Sequence, residues 1–245
     1  LQVFTCISGI NSVELVENSA NQGFIHTVNA GLRRYPDHDY ILLNADTLVH
    51  GDWVDRLHRS AYPNKEEAPV AAVSPLSNFG ELVSFPRSMH NTVLQDGQMA
   101  AKIDAIARTV NTRESVEIPV GVGFCLYVRA AVIKQVGVLD WEHYDRGYGE
   151  EVDWCLRMRR AGYRVMCATN VFVAHRGNVS FKAEKPILAA RNLRVLHRRY
   201  PQHSAEYDHF LASDPLASAR QAIEAQLLHD VAGDAQLVAG QPEHP

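Results

Sequence analysis

Apolar and polar positions along the 245 residues alternate between short apolar runs and helically spaced stretches. A β-prone run at 1–6 is broken by Gly9 and Asn11, and a four-residue run at 13–16 predicts a strand. After Gly23, the residues Phe24, Ile25, Val28 and Leu32 recur at helical spacing until Arg33, Arg34 and Pro36, which predicts a helix. The next run, Tyr40-Ile41-Leu42-Leu43, is of strand length and apolar throughout, the pattern of a central parallel strand buried on both faces. Strand, helix and strand in this order predict a βαβ unit with a right-handed crossover and a parallel pair. Farther on, the pattern predicts a helix capped by Asp52, a buried strand over 70–75, a helix over 93–110 and a strand over 118–128 entered through Gly121 and Gly123. It then predicts a helix from 150 to about 161 with Gly162 as its stop, an edge strand over 163–167 and a strand over 171–175. A basic amphipathic helix over 187–200, a helix over 216–231 and a frayed tail from Gly233 complete the pattern. The class is α/β: a mixed, mostly parallel sheet flanked by helices.

Polar groups cluster where such a sheet binds ligands, outside the carboxyl ends of its strands. Asn44 and Asp46 end the 40–43 run and, at i and i+2 on extended backbone, would point to one side and could share a hard divalent cation. The alternative is a strand end that starts a turn, a role Asx residues often take. A second cluster follows Gly147-Tyr148-Gly149, where Glu150, Glu151 and Asp153 open a helix. The helix dipole favours such acids by roughly 0.3–1 kcal/mol each, and Asp153 can pair with Arg157 at i+4. Three acids in four positions partly cancel that benefit, and crowding pushes a carboxyl pKa up, as suits a general base. His175 ends an apolar strand beside Arg176 and Gly177, from where it could complete a metal site begun by Asp46. Gly121 and Gly123 permit either close approach of a ligand or tight strand packing.

Composition narrows the field. A net charge of -4 gives no reason to expect nucleic acid or a polybasic membrane patch. The four cysteines, Cys6, Cys125, Cys155 and Cys167, lack CxxC spacing and read as reduced, mostly buried thiols of a cytoplasmic protein. No apolar stretch approaches the roughly 20 residues that cross a bilayer, and no signal peptide opens the chain. A nucleotidyltransferase reading lacks support, because there is no Gly-rich phosphate loop with Lys.

Taken together, these segments resemble the inverting glycosyltransferases of the GT-A fold, in the large family-two group of rhamnosyl-, galactofuranosyl- and N-acetylglucosaminyltransferases. The resemblance runs from about 13 to 181. Asn21-Gln22-Gly23-Phe24 and Asn29-Ala30-Gly31-Leu32 look like the family's N-x-G-F and N-x-G-L segment, and Asn44-Ala45-Asp46 takes the place of its D-x-D motif. Gly149-Glu150-Glu151-Val152-Asp153-Trp154-Cys155-Leu156-Arg157 resembles G-E-D-x-D-x-x-L-R, and His175-Arg176-Gly177-Asn178-Val179-Ser180 resembles H-x-G-x-S.

The resemblance implies a GT-A, Rossmann-like domain over 1–185 and a C-terminal helical extension over 186–245. It implies transfer of a sugar, with inversion, from a nucleotide-sugar donor to a glycan or lipid-linked acceptor, in bacterial surface polysaccharide synthesis at the inner face of the membrane. Asp46, Asn44 and His175 would hold Mg²⁺ or Mn²⁺ on the donor diphosphate, and Asn21, Gly23 and Asn29 would also serve the donor. Glu151 would be the base, with Glu150 and Asp153 as alternatives. Gly121, Gly123 and Trp154 would face the acceptor, although an aromatic residue one turn into a helix is as often core. Only twelve residues precede Val13, and they hold no Asp-rich motif, so the domain is expected to be N-terminally truncated. The second functional reading is accordingly an inactive remnant or a non-catalytic sugar- or nucleotide-binding module.

Overall fold

The computed structural model describes residues 14–63, 67–94, 96–112, 115–144, 149–176 and 185–239, without the side chains of 185–189 and 233–239. The expected β-prone run at 1–6, Cys6, Val13, the 146–148 lead-in and the 177–181 segment lie outside the described residues. Eight helices and seven strands are described: α1 (Gly23–Arg34), β1 (Tyr40–Leu43), β2 (Thr47–Leu48), α2 (Trp53–Ala61), β3 (Val70–Leu76), α3 (Gly97–Val110), β4 (Ser115–Glu117), β5 (Cys125–Val128), α4 (Ala130–Val136), α5 (Glu150–Arg160), β6 (Arg164–Phe172), β7 (Ala174–His175), α6 (Lys185–Arg199), α7 (His203–Ser213) and α8 (Ala217–Ala239). Five strands form one mixed sheet in the order β1-β5-β3-β6-β4, and β2 pairs with β7 in a small second sheet. β3 and β6 pair in parallel; β5 runs antiparallel to both β1 and β3, and β4 antiparallel to β6. Thus β1, β3 and β6 point the same way. Every residue of β3 is buried, as an unbroken apolar run in mid-sheet requires.

Helices cover this sheet because their apolar faces need the same core. α2 and α3 pack on β6, and α8 packs on α3. A buried ion pair ties these elements together: Arg56 of α2 donates to both oxygens of Asp104 in α3 at 3.0 and 2.7 Å, and the Phe172 N–H donates to Asp104 Oδ1 at 2.9 Å. Arg220 of α8 donates to the Leu82 carbonyl and to Ser88, each at 2.7 Å, which pins the C-terminal helices to the loop after β3. Among the described residues no helix is long and apolar enough to cross a membrane.

Several expectations are corrected. Residues 14–16 form no strand, so the βαβ unit and its parallel pair are absent among the described residues. Leu15 and Val16 are exposed, and Glu14 is drawn to the end of α1 instead, pairing with Arg34 and accepting from the Tyr35 hydroxyl. β1 is therefore an edge of the described sheet rather than a central strand, and Leu43 is exposed. The run 118–128 is strand only from Cys125, and Gly121 serves tight packing outside it, since a Cβ there would sit 2.5 Å from Leu126 Cδ1. The expected edge strand over 163–167 and the start of the 171–175 strand are one inner strand, β6, flanked by β3 and β4. Asp52 makes no cap bond and turns to Arg56 and Arg59. The last helix continues to Ala239 instead of fraying at Gly233.

Candidate active site

The β2–β7 ladder builds the first half of the site. After β1 the chain turns at 45–46, closed by a hydrogen bond from the Thr47 hydroxyl to the Asn44 carbonyl at 2.7 Å. Asp46 thus lies in the turn and Asn44 just before it, so the two do not share one run of extended backbone as expected, because the chain turns at 45–46 between β1 and β2. In the ladder, Thr47 stands opposite His175, and the Arg176 N–H donates to the Asp46 carbonyl at 3.0 Å. That register brings together groups far apart in the chain: His175 Nε2 lies 3.3 Å from the Asn44 amide, 131 positions away, and 3.4 Å from Asp46 Oδ1.

His175 is held from every side. Its Nδ1 lies 3.0 Å from the Phe79 carbonyl, which accepts a hydrogen bond only if Nδ1 carries the proton; in the neutral ring Nε2 then accepts from the Asn44 amide nitrogen at 3.3 Å, beside Asp46 Oδ1 at 3.4 Å. Asn78 fixes the backbone, accepting from the His175 N–H at 2.8 Å and donating to the His175 carbonyl at 3.0 Å. The Phe124 ring stacks on the imidazole at 5.1 Å. An imidazole nitrogen, a carboxylate and a side-chain amide suit a divalent cation of the Mn²⁺ or Mg²⁺ kind. Among the described residues no three His, Cys, Asp or Glu side chains converge into a metal cage, so this donor set fits a cation whose other ligands come from a bound molecule.

Glu151 lies across two residues from that pair. Phe124 touches His175, and its carbonyl accepts from the Asn44 N–H at 2.8 Å. The residue before it, Gly123, faces Glu151, whose Cγ lies 3.5 Å from where a Cβ would stand. A Cβ at 123 would meet Glu151 at ordinary van der Waals distance, so Gly123 marks where the two segments lie side by side. Burial pushes the Glu151 carboxyl up, and the charge of Glu81 adds to the effect; backbone N–H groups of Gly149, Glu151 and Val152 at the start of α5 act in the opposite sense. Glu150 is 6% exposed, and burial followed by the charge of Glu151 pushes its carboxyl up to about 8.

Other predicted residues are placed elsewhere. Asn29 is buried and clamps Leu139, donating to its carbonyl at 2.8 Å and accepting from its N–H at 3.0 Å, so it is spent on packing α1 rather than on a donor. Asn21 is exposed and accepts from the Gly23 N–H at 2.9 Å, which starts α1 at a residue of φ 76°. Trp154 is fully buried, with its Nε1 donating to the Gly137 carbonyl at 2.8 Å, and cannot stack on an acceptor sugar. Gly121 is enclosed by Leu126, Ser74 and Cys155. Asp153 is fully buried within Arg157, Arg199 and Tyr200.

Asn78, Phe79, Phe124 and Glu81 were not anticipated. Asn78 carries the same signal as Asn44, a polar residue just past the end of a buried strand. Glu81 has none: it stands at φ 51° in a short 3-10 turn, Glu81–Val83, uncommon backbone for a non-glycine residue. Beside His175, a cavity of about 330 Å³ is walled by Leu48, Asn78, Val93, Leu94 and Arg176.

No protein-family model matches the chain, and no curated protein matches it. Solved structures do. The mannosyltransferase PcManGT from Pyrobaculum calidifontis, in complex with GDP-Man and Mn²⁺, is 16% identical with a TM-score of 0.51, covering 94% of this chain and 64% of that one. GalNAc-T7 with UDP, GalNAc and Mn²⁺ is 15% identical with a TM-score of 0.49, covering 94% of this chain and 46% of that one. This chain therefore spans less than two thirds of either neighbour. Identities this low establish architecture alone, and the mixed sheet with its flanking helices is the GT-A fold.

Proposed function

We propose that this protein is a metal-dependent glycosyltransferase that moves a sugar, with inversion, from a nucleotide-sugar to a hydroxyl of a glycan or lipid-linked acceptor, as in bacterial surface polysaccharide synthesis. The observation that carries the reading is the meeting of His175 Nε2 with the Asn44 amide at 3.3 Å and Asp46 Oδ1 at 3.4 Å, beside Phe124, whose neighbour Gly123 lies next to Glu151. Asp46 and His175 would hold Mn²⁺ or Mg²⁺ against the donor diphosphate, with Asn44 as a third protein group. When bound there, the cation offsets the charge that gathers on the departing nucleoside diphosphate. Glu151 takes the proton of the acceptor hydroxyl as the oxygen displaces that leaving group at the anomeric carbon. Its oxygen shares the first turn of α5 with backbone donors, which keeps the carboxylate oriented.

Calorimetry with GDP, UDP and dTDP, with and without Mn²⁺, tests the site. Nucleotide binding is expected to need Mn²⁺ and to weaken at least tenfold in Asp46→Ala and in His175→Ala. Unchanged affinity in both variants rejects the metal assignment. Asn78→Ala frees the backbone that carries His175, and partners one layer behind a metal typically govern 10–100-fold in affinity. We expect about a tenfold loss in Mn²⁺-dependent nucleotide binding from this variant, although it removes no ligand.

A further inference from the structure

A second cavity, of about 380 Å³, opens where the end of α5 meets the junction of α6 and α7, and nothing in the proposed reaction uses it. Its walls include Arg159, Arg160, Tyr200, Gln202, His203 and Glu206. Arg160 lies over the Tyr200 ring, its guanidinium carbon 4.2 Å from the ring centre, and one Nη donates to the Arg199 carbonyl at 2.6 Å. Those contacts hold the planar fork in place and leave its other N–H groups without a hydrogen-bond partner among the described residues. Arg159 gives only its Nη1 to Glu206, at 2.7 Å. His203 Nδ1 is buried, yet it too has no hydrogen-bond partner among the described residues. A buried nitrogen left in that state is costly, and a bound acceptor would relieve it. α7 adds its positive end. No side chain caps it, and its first bond, from the Glu206 N–H to the Gln202 carbonyl at 3.1 Å, leaves the Ser204 and Ala205 N–H groups unpaired within the helix.

We infer that this cavity is a phosphate-binding site, separate from the metal site, that takes the phosphate monoester of a soluble molecule or of a lipid headgroup. Charge sets the sign of the ligand. Two guanidinium groups and a helix start face one carboxylate, Glu206, so the cavity keeps a positive excess. Donor number sets its kind. Two guanidinium forks, an imidazole nitrogen and a helix start offer more N–H groups than the two oxygens of a carboxylate can use. A phosphate monoester presents three strong acceptor oxygens, which guanidinium forks match in pairs. His203 donates from Nδ1 in one neutral tautomer and so suits one of those oxygens. Glu206 is the competitor already in place. Its side chain is 46% exposed and that of Arg159 29% exposed, and an ion pair so near the surface is worth little, so a phosphate can displace it. The site stands whether or not the chain transfers sugar.

Calorimetry with inorganic phosphate, and flotation with phosphatidylcholine vesicles with and without phosphatidic acid, test the site on the full chain. Inorganic phosphate should bind wild type with a Kd of about 1 mM or tighter. A double variant, Arg159→Gln with Arg160→Gln, should weaken that binding at least tenfold. Glu206→Gln removes the competitor and should tighten it about threefold. Arg194→Gln, exposed on α6 and outside the cavity walls, should change it less than about twofold. Phosphate should also raise the melting temperature of wild type and not of the double variant, a readout that first shows the variant to be folded. Vesicle binding that needs phosphatidic acid, is competed by phosphate and is lost in the double variant supports the site with a lipid headgroup as its ligand. Phosphate binding without vesicle binding supports it with a soluble phosphate ester. Wild type that binds neither phosphate nor vesicles, a double variant that loses no more than Arg194→Gln, or a Glu206→Gln chain that binds phosphate no tighter than wild type each overturns the inference.

Discussion

Glu151→Gln is expected to lower kcat for sugar transfer by about 10²–10⁴, the range that a positioned general base contributes. Gln keeps the size of the side chain and still accepts from the Gly149 N–H, so the start of α5 stays intact. It cannot take a proton from an acceptor hydroxyl. Nucleotide affinity with Mn²⁺ should change little, because Glu151 touches Gly123 while Asp46 and His175 lie beyond Phe124. Stability should move the other way. Burial raises the Glu151 carboxyl above its ordinary value, so the folded chain holds a proton there that the unfolded chain would release. That contribution to stability is complete below the ordinary carboxylate range and is lost as pH rises through the raised folded value. Replacing Glu151 by neutral Gln should therefore raise the melting temperature at pH 8 and leave it nearly unchanged at pH 4. Wild-type kcat should climb with pH along a limb displaced above the usual carboxylate range, since the base works only when ionised. A Glu151→Gln enzyme within threefold of wild-type kcat would remove Glu151 from the chemistry.

Local patterns survive folding best where one short stretch decides the outcome. The helix after Gly23, the buried run at 70–75 and the helix at 150–161 were legible, because periodicity and a breaker at one end suffice to define them. Cys125, Cys155 and Cys167 are buried thiols, as their scatter suggested. What failed depends on distant partners. The 13–16 run has strand composition, but a strand also needs a neighbour with open hydrogen bonds, and sequence does not say who the neighbour is. β6 reads as two strands because Ala168-Thr169-Asn170 interrupts the apolar pattern, and the pairing with β3 itself shifts register there, running to Ala168 and resuming at Phe172. The same division runs through the candidate site. Asp46, Glu151 and His175 were visible as polar residues at strand and helix ends, whereas Asn78 and Glu81 act through a loop whose path is set by long-range bonds. Helix-start acids look alike in sequence, so Glu150, Glu151 and Asp153 were separable only by their partners.

Asp153→Ala is the change that separates them most sharply, and its largest effect should be on stability rather than on rate. Both oxygens are occupied: Oδ2 by Arg157 at 2.8 Å, Oδ1 by Tyr200 at 2.8 Å and by Arg199 at 3.0 Å. Arg157 also donates to the carbonyls of Val136 and Val138, each at 2.8 Å, and Arg199 also pairs with Asp140 at 2.7 Å. Asp153 is thus the joint at which α5, the end of α4 and the end of α6 meet. Burial, with the bond to Asp153, pushes the Tyr200 hydroxyl up to about 12, so it remains a donor at any ordinary pH. Removing one partner of a buried ion pair typically costs about 3–5 kcal/mol, because the other charge is left without compensation. The guanidinium side chains keep 21% and 31% of their exposure, which points to the lower end, about 3 kcal/mol. For a chain of this size that corresponds to a fall in melting temperature of about 6–12 °C. Asp153→Asn should lose less, since the amide oxygen still accepts from Tyr200. Assayed well below their melting points, both variants should keep kcat within about fivefold and leave the acidic limb of the pH profile in place. A thousandfold loss of kcat in Asp153→Asn with an unchanged melting temperature would instead make Asp153 the base and Glu151 its neighbour.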